Sequence, residues 1–400
     1  MKKAISVLEI GTHKVRVVIG RVHDNDKLEI MGLGECPSQG VSKGGVNDVA
    51  KVEACVRNAI KTAENQANRA ANDLHCVFSS RELRSKIHQA YVPVLNDDQI
   101  ISKEHVDDVQ ATAQSASFGD GRQKVHFLPQ FYSVDEQHPT ENPIGTKGDK
   151  LFLTMLTLHV PSNHLINLGN IVSNIGARPA SFAFSGLCAA QSSITEDQMN
   201  RGTLLIDLGA GTTGFAFCAD GFVAYTGSVP VGGLNVTKDI ARGLQLTEEQ
   251  AERAKCIHSD CLNKPLGHTK HVVRLMGGPK GEDVSIHLPN LNTVAHARLK
   301  ETFELIQNQL DQQGILHRLS AGVQLVGGGA SMKNIEQLAE KVFKTQCWIG
   351  EPFETVGLPE DKSPASYAAP VGMIRYVHDT ESSREGERKS FLSILGRKGK

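Results

Sequence analysis

The 400-residue sequence has no C-x-x-C pair, no apolar run of membrane-spanning length and no excess of either charge. Each absence excludes something. The eight cysteines (Cys36, Cys55, Cys76, Cys188, Cys218, Cys256, Cys261 and Cys347) are scattered, mostly in apolar runs. They read as small buried hydrophobes of a reducing compartment, not as a disulfide framework. Cys256 and Cys261, with His258 and Asp260 between them, are a candidate metal site that lacks a second ligand pair. No stretch approaches the ~20 apolar residues of a spanning helix. The apolar start at residues 4–10 imitates a signal peptide, but Glu9 interrupts it and no small-residue cleavage site follows. The expectation is a soluble cytoplasmic chain. Lys and Arg number 43 against 44 Asp and Glu, a formal net charge of −1. No global field then favours nucleic acid, and any membrane contact must be local.

What is present is an alternation of strand and helix signals. Forty per cent of residues are hydrophobic, and the length suits two to four packed units. Residues 4–10, 15–22 and 28–33 read as strands. Residues 48–66 read as a helix with Val49, Val52, Val56, Ala59 and Ala63 on one face and Asn47 or Asp48 as cap. From 77 to 160 a smaller α/β unit is predicted: a helix at 103–115 behind Ser102, and strands at 125–134 and 151–160. A turn-rich loop at 136–150 lies between those strands. Helices at 164–175 and 187–194 flank a short segment at 177–184. A strand at 203–208 follows. Residues 262–282 are polar, with an exposed loop at 277–281. A helix at 293–313, a strand at 322–326 and a helix at 334–343 come next. Residues 379–389, charged and poor in apolar groups, read as a linker.

The opening pattern occurs twice. Glu9, Gly11 and Thr12 end one strand and turn into the next; Asp207, Gly209, Gly211, Thr212 and Thr213 do the same about 200 residues later. Glycines let backbone approach a phosphate. Successive N–H groups in a tight turn form an anion nest. The threonine hydroxyls, His13 and Lys14 add donors. Glu9 and Asp207 sit where Mg2+, or its bound waters, would offset phosphate charge. Two such hairpins facing each other would clamp a triphosphate between two domains; the plainer alternative is a pair of ordinary glycine hairpins.

A third element is the strand that runs into Gly327, Gly328 and Gly329 before a helix. Bare glycine carbons permit a purine ring to lie against backbone, and the helix N-terminus favours an anion. Glu252 and Lys255, three apart on a predicted helix, share a face and can reach ribose hydroxyls and the purine. Taken alone they are a solvated surface ion pair.

This order of elements resembles the actin-like ATPase superfamily: an α/β, actin-like fold of two duplicated ribonuclease-H-like domains around a nucleotide cleft. Leu8-Glu-Ile-Gly-Thr12, Gly44-Gly-Val-Asn-Asp48, Asn142-Pro-Ile-Gly145, Ser185-Gly-Leu187 and the inserted unit near 78–160 resemble the FtsA family more closely. The resemblance implies a first domain over 1–77, 161–192 and 348–378, and an FtsA-type inserted subdomain at 78–160. A second domain follows at 193–347, with an outer subdomain near 228–306. It also implies ATP and Mg2+ as cofactors, self-association into filaments, and binding to the C-terminal tail of FtsZ and to other division proteins. The place implied is the cytoplasmic face of the bacterial inner membrane at the division site. Arg298 and Lys300 are the positions it suggests for the FtsZ tail. Gly214 replaces an acid common in relatives, and only Gln191 offers itself to orient an attacking water, so slow or negligible turnover is expected. A sugar kinase, a chaperone-like ATPase and a pilus-assembly actin-like protein share the fold. No catalytic acid motif or large substrate domain supports the first two.

The last residues, 390–400, contain Phe391, Leu392, Ile394 and Leu395, followed by Arg397 and Lys398. As a helix the four apolar side chains cover one arc, and basic groups flank it. A weak, reversible amphipathic membrane contact is expected, firm only when many copies act together. The alternative is a disordered basic terminus.

Overall fold

A computed structural model describes residues 3–263, 271–277 and 283–385. In chain order the elements are β1 (Ile5–Ile10), β2 (Lys14–Val22), β3 (Leu28–Pro37), the short pair β4 (Val41–Ser42) and β5 (Gly45–Val46), α1 (Val49–Ala67) and β6 (Asp73–Phe78). The insertion follows, with β7 (Arg84–Pro93), α2 (Lys103–Ser115), β8 (Arg122–Val134) and β9 (Lys150–Pro161). Then come α3 (Ser162–Asn174), β10 (Arg178–Phe184), α4 (Ser185–Ser193), α5 (Glu196–Arg201), β11 (Thr203–Leu208), β12 (Thr213–Ala219) and β13 (Phe222–Val229). The remainder is α6 (Gly233–Leu244), α7 (Glu248–His258), β14 (Val272–Leu275), β15 (Val284–His287), α8 (Leu288–Gln312), β16 (Gly322–Val326), α9 (Ile335–Phe343), β17 (Cys347–Ile349), β18 (Thr355–Val356) and α10 (Ala368–Glu385).

Two sheets carry the architecture. One runs β10-β6-β1-β2-β3-β18, the other β13-β12-β11-β16-β17. In each, three consecutive strands form an antiparallel meander, and two later strands join parallel to the first of them. Without β18 the two orders are the same topology, a duplication. One hydrophobic core backs the first sheet and takes in Leu205, Ala216, Cys218, Val223 and Val326 of the second; another packs the remaining buried apolar side chains of the second sheet, and a third, small one holds the insertion together.

Local sequence explains the principal helices. Asp48 caps α1 by accepting from Lys51 N at 3.2 Å, and Val52, Val56, Ala59 and Ala63 are in its buried stripe. Gly32 and Gly34 of β3 let that stripe close; a methyl at Gly34 would lie 1.8 Å from the Ala59 carbonyl oxygen. α8 begins five residues earlier than its apolar spacing suggests, because Pro289 in its first turn costs no hydrogen bond.

Three readings of the sequence need correction. β7 gives no apolar run, since its side chains alternate between exposed and half-buried environments. The segment at 262–282 contains a strand, β14, paired with β15; Gly277 follows it with φ +74°, and 278–281 lie outside the described residues. Residues 379–385, charged enough to read as linker, continue α10. There Gln191 Nε2 donates to Asp379 at 2.9 Å and Lys3 pairs with Glu381 at 3.6 Å, so specific polar contacts take the place of burial.

Candidate functional site

Strand pairing places the two acids. Glu9 and Asp207 each stand one residue before the end of their strand, at the mouth of a hairpin. Glu9 pairs across with Arg16; Asp207 pairs across with Gly214. The hairpins meet at their tips: a methyl on Gly211 would lie 2.4 Å from Thr12 Oγ1. Gly44 N also donates to Thr12 Oγ1, at 3.2 Å. The N-terminus of α6 backs the second hairpin, with Gly233 N donating to Gly209 O at 2.9 Å and Leu234 N to Ala210 O at 2.8 Å.

The hairpins face the triple-glycine turn. Gly327 has φ +83°, and a methyl there would lie 2.5 Å from Asp207 Oδ1. Gly329 lies against Leu208, whereas Gly328 faces open space. A cavity of ≈ 390 Å³ results. Glu9, Gly11, Thr12, His13, Lys14, Asp207, Gly209, Gly211, Thr212, Glu252, Lys255, Gly327, Gly328 and Gly329 all line it. Thr213 does not: its buried hydroxyl donates to Val231 O at 2.8 Å inside β12.

The cavity wall is charged and internally paired. Lys255, 8% exposed, donates to Glu252 at 2.7 Å, to Thr237 Oγ1 at 2.9 Å and to Gly233 O at 3.2 Å. The pair is thus part of the wall and not a solvated surface bridge. Burial opposes the Glu252 charge, but Lys255 and Thr237 outweigh it and hold the carboxyl below its usual range. His13 is also lowered, chiefly by burial, so its ring is neutral at pH 7. Burial and then the Glu9 charge push Asp207 up to about 6.

Several lining residues gave no sequence signal. Arg16 donates to Glu9 at 3.0 Å, to Glu35 at 2.8 Å and to Ser366 O at 3.0 Å, and lies over the Tyr367 ring. Lys362 donates to Glu35 at 2.6 Å. Burial works against the Glu35 charge, but Lys362 and Arg16 hold it down at about 2. Only the glycine pair Gly232-Gly233, between a strand and a helix, is a recognisable mark.

Other predicted positions lie elsewhere. Gln191 is not among the cavity-lining residues and bonds Asp379. Arg298 pairs with Asp239 and Glu301, and Lys300 with Glu304 at 3.4 Å. Two apart on α8, Arg298 and Lys300 point to different faces and do not form one patch. Among the described residues no cluster of three His, Cys, Asp or Glu can hold a metal, which includes the Cys256–Cys261 run. Phe391, Leu392, Ile394, Leu395, Arg397 and Lys398 lie outside the described residues.

Two sheets of one topology closing on a glycine-walled cavity define the actin-like class. Solved structures agree: a chain of the PilM-PilN type IV pilus biogenesis complex superposes with TM-score 0.65 at 15% identity, over 92% of this chain and 97% of that one. MreB5 of Spiroplasma citri bound to ADP gives 0.56 at 12%, over 96% and 99%. At such identities the likeness is one of fold. The chain matches the family "Cell division protein FtsA" over residues 204–372 and "SHS2 domain inserted in FTSA" over 80–158. It is 31% identical to cell division protein FtsA of Escherichia coli K12, over 96% of this chain and 93% of that one. Against FtsA of Buchnera aphidicola from Acyrthosiphon pisum the identity is 28%, over 98% and 96%. This chain belongs to the FtsA family of cell-division proteins, with the actin-like fold and the FtsA-type insertion.

Proposed function

We propose that this chain binds ATP with Mg2+ in the cleft, polymerises, and ties the C-terminal tail of FtsZ to the cytoplasmic face of the inner membrane at the division site, where other division proteins join it. The observation that carries the reading is the convergence of Gly11, Gly209 and Gly328 on one cavity. A neighbour of the same fold is an MreB5 bound to AMPPNP, which supports a nucleotide as the occupant. Glu9 and Asp207 suit a divalent cation, since burial and then the Glu9 charge raise Asp207, and a cation would offset both. With two acids only, the cation would complete its shell from phosphate and water. It would supply countercharge to the phosphates. Turnover is slow, because Gly214 offers no carboxylate and Gln191 is committed to Asp379.

Arg298 or Lys300, on separate faces of α8, contacts the acidic FtsZ tail. Membrane attachment falls to residues 390–400. No helix among the described residues is long and apolar enough to cross a membrane. Each basic residue near an anionic surface contributes about 1 kcal/mol, so one copy holds weakly and a filament firmly. Co-sedimentation with anionic liposomes tests this. Pelleting should rise with ATP, carry FtsZ tail peptide with it, and vanish when residues 389–400 are removed. Full pelleting without those residues contradicts the tether.

A further inference from the structure

The two hairpins are equivalent in topology but not in charge. Opposite Asp207 stands Gly214, which has no side chain. Opposite Glu9 stands Arg16, whose guanidinium bonds the Glu9 carboxylate at 3.0 Å and lines the cleft. Its position is set from three further directions: the Glu35 carboxylate, the Ser366 carbonyl and the Tyr367 ring. Glu35 is itself held by Lys14 and Lys362, which also line the cleft. Four cations (Lys14, Arg16, Lys255, Lys362) therefore meet three carboxylates (Glu9, Asp207, Glu252) in the lining.

We infer that Arg16 is a resident counter-cation that lets the cleft bind a nucleoside triphosphate without a divalent metal. The inference rests on the nucleotide reading above and deepens it. A free triphosphate brings its whole charge toward Glu9 and Asp207. A fixed cation on Glu9 cancels one of the two repulsions before the ligand arrives. When Mg2+ accompanies the nucleotide, much of that charge is already neutralised, and Arg16 matters less. Coulomb attraction over a few ångströms at a protein surface is large enough for the difference to be read as affinity. The guanidinium is always charged and held by a planar fork, so it stays in place. Lysine at the same position would keep the charge and lose the fork.

The test is calorimetric ATP binding to the full-length wild type, R16M and R16K, each in Mg2+ and in EDTA. The wild type binds in both media. R16M loses about tenfold or more in EDTA and under about threefold in Mg2+. R16K recovers most of the EDTA affinity. Equal loss in both media, or R16K as impaired as R16M, would mean a structural ion pair and overturn the inference. So would unchanged affinity in EDTA. Circular dichroism and the melting temperature of each nucleotide-free variant confirm folding. If the wild type binds ATP in neither medium, the nucleotide reading itself fails, a different outcome from the others.

Discussion

At the residue scale the two acids were legible and their surroundings were not. An acid two places before a glycine is a local pattern, so Glu9 and Asp207 stand out in the sequence. Arg16 is seven residues from Glu9, and only the hairpin register brings them opposite. Lys255 looks solvated until α6 covers it through Gly233 and Thr237. Asp207 gives a pH prediction. Its folded value of about 6 exceeds the ordinary 3.8. Between those values the folded chain holds more protons than the unfolded one, so stability falls as pH rises through the window. Above pH 6 the full cost is present. D207N should therefore stabilise the nucleotide-free protein at pH 7.5 by up to about 3 kcal/mol and change little at pH 3.5. Urea unfolding at the two pH values measures it; equal effects at both would show that charge is not the cause.

At the element scale, periodic helices and strongly apolar strands could be read from sequence, whereas mixed ones could not. α1, α2 and β11 follow the predicted spacing closely, except that Val49, read as part of the α1 apolar face, is exposed. β7 escaped because neither of its faces is buried. α10 was not read from the sequence, and the charge at 379–385 imitates a linker, while long-range partners hold its last turns. The α4–α10 contact is the closest of these packings. A methyl at Gly372 would lie 1.6 Å from the Cys188 carbonyl oxygen, which belongs to backbone and cannot yield. G372A should destabilise the fold by about 3 kcal/mol or more, seen as a lower urea midpoint at unchanged slope. A variant as stable as the wild type would refute this packing.

For the whole molecule, duplication was the recoverable feature. Two copies of one turn about 200 residues apart announced two sheets of one topology, and the triple glycine marked the opposite wall. What no local pattern announced was the closure of the cleft by Lys362, Ser363 and Ser366, which arrive from the far end of the chain. Their positions depend on Glu35 and on the Gly327 N to Ala365 O bond at 2.9 Å, contacts between segments about 40 to 330 residues apart. The central claim is that both hairpins and the glycine turn form a single nucleotide site. Gly328 offers the cleanest probe, since it lines the cavity and a methyl there meets no protein atom within 4 Å. The decisive measurement is ATP affinity of G328V against the wild type, with the melting temperature of each nucleotide-free protein beside it. The account predicts loss of binding at an unchanged melting temperature; wild-type affinity in a folded G328V would contradict it.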